Sequence, residues 1–326
     1  MEKTMSDNKL AGAILGAGVL TASAALAQPH SIELVDSLNG VFGKHAGARA
    51  SHAKGVCIQG YFSPNPQALQ VTHGSLWQTQ QTPVTGRFSV GGGNPKASDK
   101  GKTVRGLALN IGDQWHMVGL SAPVFMVSTP EEFVRFMAAR RPDPTTGQPD
   151  IEKIKAFNAS TPSTHAQIEY LDKTPVPASY TQAKYWGINA FSFTNAQNVK
   201  QFGRWRLEPQ DGTNGLTPDD LTELSDDFLE ERLNTRLSAG AAKFDVVLQL
   251  AQPGDDIKDP TKTWPSSNPE VTLGEIVLTS VGGPCANQMF NPAQLPASGM
   301  ELSEDPTLLA RAGAYAVSLS RRTSGH

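Results

Sequence analysis

The chain has 326 residues, 38% hydrophobic and 18% charged, ordinary values that allow a globular protein with one large core or two small ones. Its formal net charge of -3 is close to neutral, with no basic stripe of the kind that phosphate contacts require, so nucleic acid is not expected as a partner. The first segment, "MEKTMSDNKLAGAILGAGVLTASAALAQP", places Lys3 and Lys9 before an apolar run from Leu10 to about Leu20, then small residues ending in Ala25-Leu26-Ala27. This is the three-part build of a secretory signal, cleaved after Ala27. The run is shorter than the about 20 residues that span a bilayer. Residues 1–27 therefore read as a signal peptide and residues 28–326 as the mature chain, exported to a bacterial periplasm with no membrane span after cleavage.

In "RASHAKGVCIQGYF", residues 49–62, Arg49 and His52 run into Gly55, a small apolar stretch and Tyr61-Phe62, the pattern of a buried strand with a basic mouth. Cys57 and Cys285 are the two cysteines. Two make no framework, a cysteine in an apolar run commonly serves as a small buried hydrophobe, and their pairing stays open because sequence says nothing of their distance. "VGGGNPKASDKGKT", residues 90–103, ends like a phosphate loop, but its required first glycine falls at Lys96, so a flexible loop is expected.

"RGLALNI" alternates through Leu107, Leu109 and Ile111, and "KFDVVLQL" through Phe244, Val246, Leu248 and Leu250, the mark of half-buried strands. "PVFMV" at 123–127 and "GEIVLTSV" at 274–281 are continuous apolar runs that suit strands covered on both sides. Between them, Thr129 as N-cap, Pro130 at the first position and arginines before Pro142 predict a helix, and the same grammar predicts another from Thr217 to Gly240 with Leu221, Leu224, Phe228 and Leu229 on one stripe. Strands dominate the centre, helices come between and after them, and no βαβ alternation appears. The expected class is α+β, an antiparallel sheet or barrel with added helices, in one domain. The seven histidines form no i, i+4 pair or cysteine-histidine cluster, which argues against a zinc site, and no Gly-x-Ser-x-Gly elbow is present. Met117, Met126 and Met137 read as core filler.

The order of several basic and aromatic segments carries a resemblance. "RASHAKG" resembles the distal-histidine segment of the haem catalases, and "GRFSVGG" at 86–92 is similar to their next signature, followed by "VRGLALN" and "QWHMVGLSAPVFM". "DPTKTWP" at 259–265, "FNPAQLP" at 290–296 and "RAGAYAVSLSRR", which resembles the proximal segment, complete the order from Arg49 to Arg322. The resemblance implies a closed antiparallel barrel with helices packed outside and haem b between the barrel and a C-terminal helix. It implies His52 as the base that moves the peroxide proton and Ser89 as the hydroxyl that orients its ring. It implies Tyr315 as a tyrosinate ligand to ferric iron, with Arg49, Arg87 and Arg322 on the haem propionates and Phe133 stacked near the macrocycle. Lys54 merely belongs to the signature. Arg311, four residues before Tyr315 on a helix, stands where its guanidinium can hold the phenolic oxygen as phenolate, which a free tyrosine reaches only near pH about 10.

The chain also departs from the large catalases. Leu120 replaces an asparagine that helps place hydrogen peroxide, and Ser51 replaces a valine before the distal histidine. It is shorter and lacks the arm and helical domain that lace tetramers together, so a monomer or homodimer is expected. The function implied is a peroxidase that reduces organic hydroperoxides and hydrogen peroxide with a small-molecule electron donor, has weak catalase activity, and serves oxidative stress defence. The secreted catalase-related peroxidases are the members it most resembles. A hydroperoxide isomerase akin to allene oxide synthase, a small true catalase and a non-enzymatic haem carrier are the alternatives.

Overall fold

The computed structural model describes residues 31–324. The expected signal sequence, residues 1–27, lies outside them. Helix α1 (Ser31–Phe42) precedes strands β1 (Gly55–Pro64), β2 (Thr82–Val90), β3 (Arg105–Ile111) and β4 (Trp115–Leu120). Helices α2 (Pro130–Arg140), α3 (Ile151–Ser160) and α4 (His165–Lys173) follow. Then come β5 (Val176–Pro177), β6 (Tyr185–Trp186), β7 (Phe191–Thr194), β8 (Lys200–Pro209) and β9 (Gly215–Leu216), with α5 (Pro218–Thr222) and α6 (Phe228–Ala239). Strands β10 (Ala242–Leu250), β11 (Glu270–Val281) and β12 (Met300–Leu302) lead to the long C-terminal helix α7 (Pro306–Ser324). No helix among the described residues is long and apolar enough to cross a membrane.

Antiparallel pairing runs β10-β11-β1-β2-β3-β4-β6-β8, and β8 pairs in turn with β10, so eight strands close on themselves. Closure leaves the ring no unpaired edge. Strands β7 and β12 extend the sheet beyond β8. The barrel is filled by the residues that alternation predicts: Phe244, Val246, Leu248 and Leu250 of β10 are all buried, as are Leu107, Leu109 and Ile111 of β3. Phe88 stacks on Tyr180 with centroids 4.9 Å apart, and Phe62 meets Trp77 and Trp115 edge-on. Each such side chain contributes about 1.5–3 kcal/mol on burial, so the barrel interior is a packed core and any ligand has to lie outside it.

Three expectations need correction. "PVFMV" is an irregular segment, not a strand: Val124 and Val127 point into protein while Phe125 and Met126 line a cavity, so its apolar character serves a site wall and not a sheet. The helix expected from Thr217 to Gly240 is two, α5 and α6, broken at 223–227. A capping box between Thr217 and Asp220 starts the first, and Asp99 from the glycine-rich loop accepts the N–H of Leu229 at 2.9 Å near the start of the second. Lys54 does more than fill a signature, since its ammonium bridges Asp99 and Asp227 at 2.8 Å each and ties that loop to the start of α6. The structure also settles the cysteines, joining Cys57 to Cys285 in a disulfide with Cα atoms 5.6 Å apart.

Candidate active site

Strand register builds one wall of the site. Ser89 pairs with Gly106 and Gly106 with Leu120, while Arg87 pairs with Ala108 and Ala108 with Val118. Because side chains alternate, these residues share the face opposite the barrel core and form two cross-strand rows on the outside of β2, β3 and β4. Helices α1, α2 and α7 cover that face, and α1 packs against both of the others. Between wall and helices lies a cavity of about 470 Å³, within the usual span of ligand pockets.

His52 enters this cavity from the segment before β1. Its backbone φ is +54°, in the left-handed region that a non-glycine residue seldom adopts, and Arg87 holds it there by donating to the carbonyls of His52 (2.7 Å) and Ala53 (2.8 Å). The imidazole Nδ1 lies 3.0 Å from Ser89 Oγ. Ser89 can accept from Nδ1–H, which leaves the Nε2 lone pair free to take a proton. Burial, then the positive charges of Arg87, Arg311 and Arg49, push the His52 pKa down to about 4, so the ring is neutral at pH 7. Gly106 is bare for a reason: a Cβ there would stand 2.7 Å from His52 Nδ1 and 2.5 Å from Ser89 Oγ.

On the helical side, Tyr315 and Arg311 meet as the i, i+4 spacing predicts, with Arg311 Nη2 donating to Tyr315 Oη at 2.9 Å. The pair belongs to a longer chain that sequence reasoning missed. Arg311 Nη1 donates to Asn189 Oδ1 at 2.7 Å, and Asn189 Nδ2 donates to Asp305 Oδ2 at 2.7 Å and Thr307 Oγ1 at 3.1 Å. Asp305 also accepts the N–H groups of Thr307 and Leu308, capping α7. That cap was legible in "EDPTLL", whereas nothing around Asn189 marked it out.

Arg49, Arg87 and Arg322 also reach the cavity. Among the described residues none of the three has a carboxylate within ion-pair distance; Arg49 donates to the carbonyls of Cys285 (3.1 Å) and Gln288 (2.9 Å), Arg322 also to that of Gln288 (2.9 Å), and Arg322 Nε is buried without a partner. Burial and the repulsion of Arg87 and Arg322 pull the Arg49 pKa down to about 9, and burial pulls Arg87 to about 10. Three mutually repelling, half-desolvated cations fit an anionic ligand edge with two negative charges. Phe133 lies parallel to Phe125, 6.3 Å between centroids, on an otherwise largely apolar lining that includes Leu120, Met126 and Met137. Every site residue expected from the sequence, His52, Ser89, Arg49, Arg87, Phe133, Arg311, Arg322 and Tyr315, therefore borders one cavity.

A family model described as Catalase matches residues 23–326. A catalase-related peroxidase of Synechococcus elongatus is 38% identical over 324 residues, covering 97% of this chain and 95% of that protein. A catalase-related peroxidase of Mycolicibacterium paratuberculosis is 30% identical over 303 residues, 89% of this chain and 94% of that protein. Among solved structures, a fungal catalase superposes with a TM-score of 0.78 at 22% identity over 86% of this chain, and a bacterial catalase with 0.77 at 23% identity over 99%. The chain spans 60% and 67% of those two longer proteins, and the likeness to them is one of fold.

Proposed function

This chain belongs to the catalase family, and we propose that within it the protein is a haem peroxidase that reduces organic hydroperoxides and hydrogen peroxide with electrons from a small-molecule donor and has weak catalase activity. The coarser reading, a peroxide-acting oxidoreductase, rests on the family and on relatives of nearly equal length. The observation that carries the finer one is that a neutral His52–Ser89 pair and an Arg311-bound Tyr315 border the same cavity, with Leu120 in the wall row beside Gly106.

The residues fit haem b. Arg49, Arg87 and Arg322 would hold its two propionates, Phe133, Met126 and Met137 its apolar body, and Tyr315 its iron. When bound, the ferric haem supplies the electrons that break the peroxide O–O bond. His52 Nε2 takes the proton from one peroxide oxygen and returns it to the leaving oxygen as water or alcohol. Ser89 fixes the ring for both transfers, and the strained backbone held by Arg87 keeps Nε2 in place. Arg311, held by Asn189, which Asp305 holds in turn, sets its guanidinium charge beside the Tyr315 oxygen and fixes the position of that ligand atom. Leu120 offers no hydrogen bond to a second hydrogen peroxide, and losing one positioned donor commonly costs about 10²-fold or more, so oxygen release should be slow while an apolar hydroperoxide is accommodated.

We also propose export to the periplasm, a reading that the Cys57–Cys285 disulfide supports because such bonds persist in oxidising compartments. An absorption spectrum of the purified protein, followed by parallel assays of oxygen release from hydrogen peroxide and of dye oxidation with an organic hydroperoxide, tests the function. A ferric tyrosinate spectrum with dye oxidation and little oxygen is the expected result. Vigorous oxygen release would make the protein a small true catalase, and hydroperoxide loss without dye oxidation an isomerase.

A further inference from the structure

The peroxide chemistry makes no use of the Cys57–Cys285 disulfide, yet the bridge adjoins the groups that orient two site arginines. Cys57 lies on β1, next to the wall strand β2 and opposite Arg87. Its carbonyl accepts the N–H of Gly282 at 2.8 Å, where the chain leaves β11. Gly282 and Gly283 then take positive φ of +101° and +104°, a freedom only glycine has without strain, and residues 282–299 run without regular structure to β12. Cys285 N–H donates to Gly283 O at 3.0 Å, and the next turn of this segment is closed by Gln288 N–H donating to Cys285 O at 3.1 Å. Those same two residues present the carbonyls that receive Arg49 and Arg322.

Arg49 also sits on an irregular stretch, between α1 and β1, so no strand or helix fixes either it or its acceptors. Farther along, His116 anchors the segment by accepting the N–H of Asn291 at 3.0 Å. At its near end the hinge of two glycines leaves the disulfide as the covalent tie. Cys285 is fully buried, so the bridge holds that turn against the barrel and not in solvent.

We propose that the Cys57–Cys285 disulfide is a positioning device for the carboxylates of the cofactor: it fixes the Cys285 and Gln288 carbonyls, and through them aims Arg49 and Arg322. This rests on the haem reading. Cutting the bridge frees the turn, the two guanidinium groups lose their shared acceptor, and a propionate has to order them on binding.

The test is equilibrium binding to haem-free protein, followed by quenching of tryptophan fluorescence, with ferric haem and with its dimethyl ester, which lacks the carboxylate charges. Four proteins are compared: wild type, Cys57→Val/Cys285→Ala, Arg49→Gln, and the three substitutions combined. Removing the disulfide should weaken haem binding about tenfold, the scale of one hydrogen bond to a charged group, and leave ester binding unchanged. In the Arg49→Gln background the same change should matter much less. Equal losses for haem and ester, or undiminished loss in the Arg49→Gln background, would reduce the bridge to general support and overturn the proposal. Wild type that binds neither compound would instead overturn the haem reading.

If the disulfide-free variant does not fold, amide exchange of haem-free wild type decides. It is measured before and after dithiothreitol, which gives two electrons and two protons to the bridge and closes to its own cyclic disulfide. Residues 284–290 should lose protection while the barrel strands keep theirs; unchanged protection of that turn overturns the proposal.

Discussion

Gly106→Ala is the sharpest single perturbation of the candidate site. The new methyl would stand 2.7 Å from His52 Nδ1 and 2.5 Å from Ser89 Oγ, where ordinary contact begins at 3.4 Å. The ring, the hydroxyl or both have to give up more than half an ångström. Ser89 can escape by rotating, which surrenders its 3.0 Å hydrogen bond to the ring. His52 cannot follow cheaply, because its backbone is already in the left-handed region and pinned by two Arg87 hydrogen bonds. Overpacking of this kind costs about 1–3 kcal/mol, which a barrel with this core should survive. A displacement of about 1 Å at a catalytic group costs about 10²-fold in rate, so peroxide turnover should fall by that order while haem binding and the fold persist. Thermal melting, haem titration and the rate of hydroperoxide consumption are the assays. A folded, haem-loaded variant with wild-type turnover would refute the claim that the His52–Ser89 geometry carries the reaction.

Leu120→Asn restores an amide to the wall and should raise the ratio of oxygen release to dye oxidation by about tenfold or more; an unchanged ratio would show that Leu120 does not set the balance. Asn189→Leu leaves Arg311 Nη1 and Asp305 Oδ2 without their mutual partner in a buried setting and should destabilise the protein by about 2 kcal/mol, read from urea unfolding; no loss would mean that the chain of hydrogen bonds is incidental. In haem-free protein the pKa of His52 is depressed to about 4 against 6.5 for the free side chain. Between those values the unfolded chain binds a proton that the folded one does not, so stability should fall as pH drops from about 6.5 towards 4, by roughly 3 kcal/mol relative to His52→Gln, with no such loss above pH 7. An imidazole titrating near 6 in nuclear magnetic resonance would contradict the burial and arginine charges as its cause.

Local grammar was the most legible part of this chain. Period-two alternation marked β3 and β10, and the Thr129-Pro130 start with its terminal arginines marked α2, because both signals act within a few residues. Arg311 and Tyr315 could be paired for the same reason, one turn apart on α7. What alternation could not supply was closure. The ring shuts where β8 pairs with β10 and where the two-residue β6 bridges β4 to β8, contacts too short or too distant for pattern to reveal. "PVFMV" misled because an apolar run reports burial without saying whether a sheet or a ligand cavity provides it. The disulfide was undecidable for want of one fact, the pairing of β1 with β11 that brings residue 282 to the carbonyl of Cys57.

The site shows the same division. His52 and Ser89 are 37 apart in sequence, and resemblance alone linked them before the structure placed them 3.0 Å apart. The physical cause is register: Gly55 opposite Ser89, Ser89 opposite Gly106, Gly106 opposite Leu120. That single cross-strand row gathers the histidine's hydrogen-bond partner, the bare position beneath its ring and the leucine that takes the place of an amide. A one-residue slip in β3 would turn Gly106 into the barrel and bring a side chain against His52. Ser89, Gly106 and the residue proposed to choose among peroxides are therefore consequences of strand pairing, and His52, on the irregular segment before β1, meets them because Arg87 of the same wall holds its carbonyl and that of Ala53.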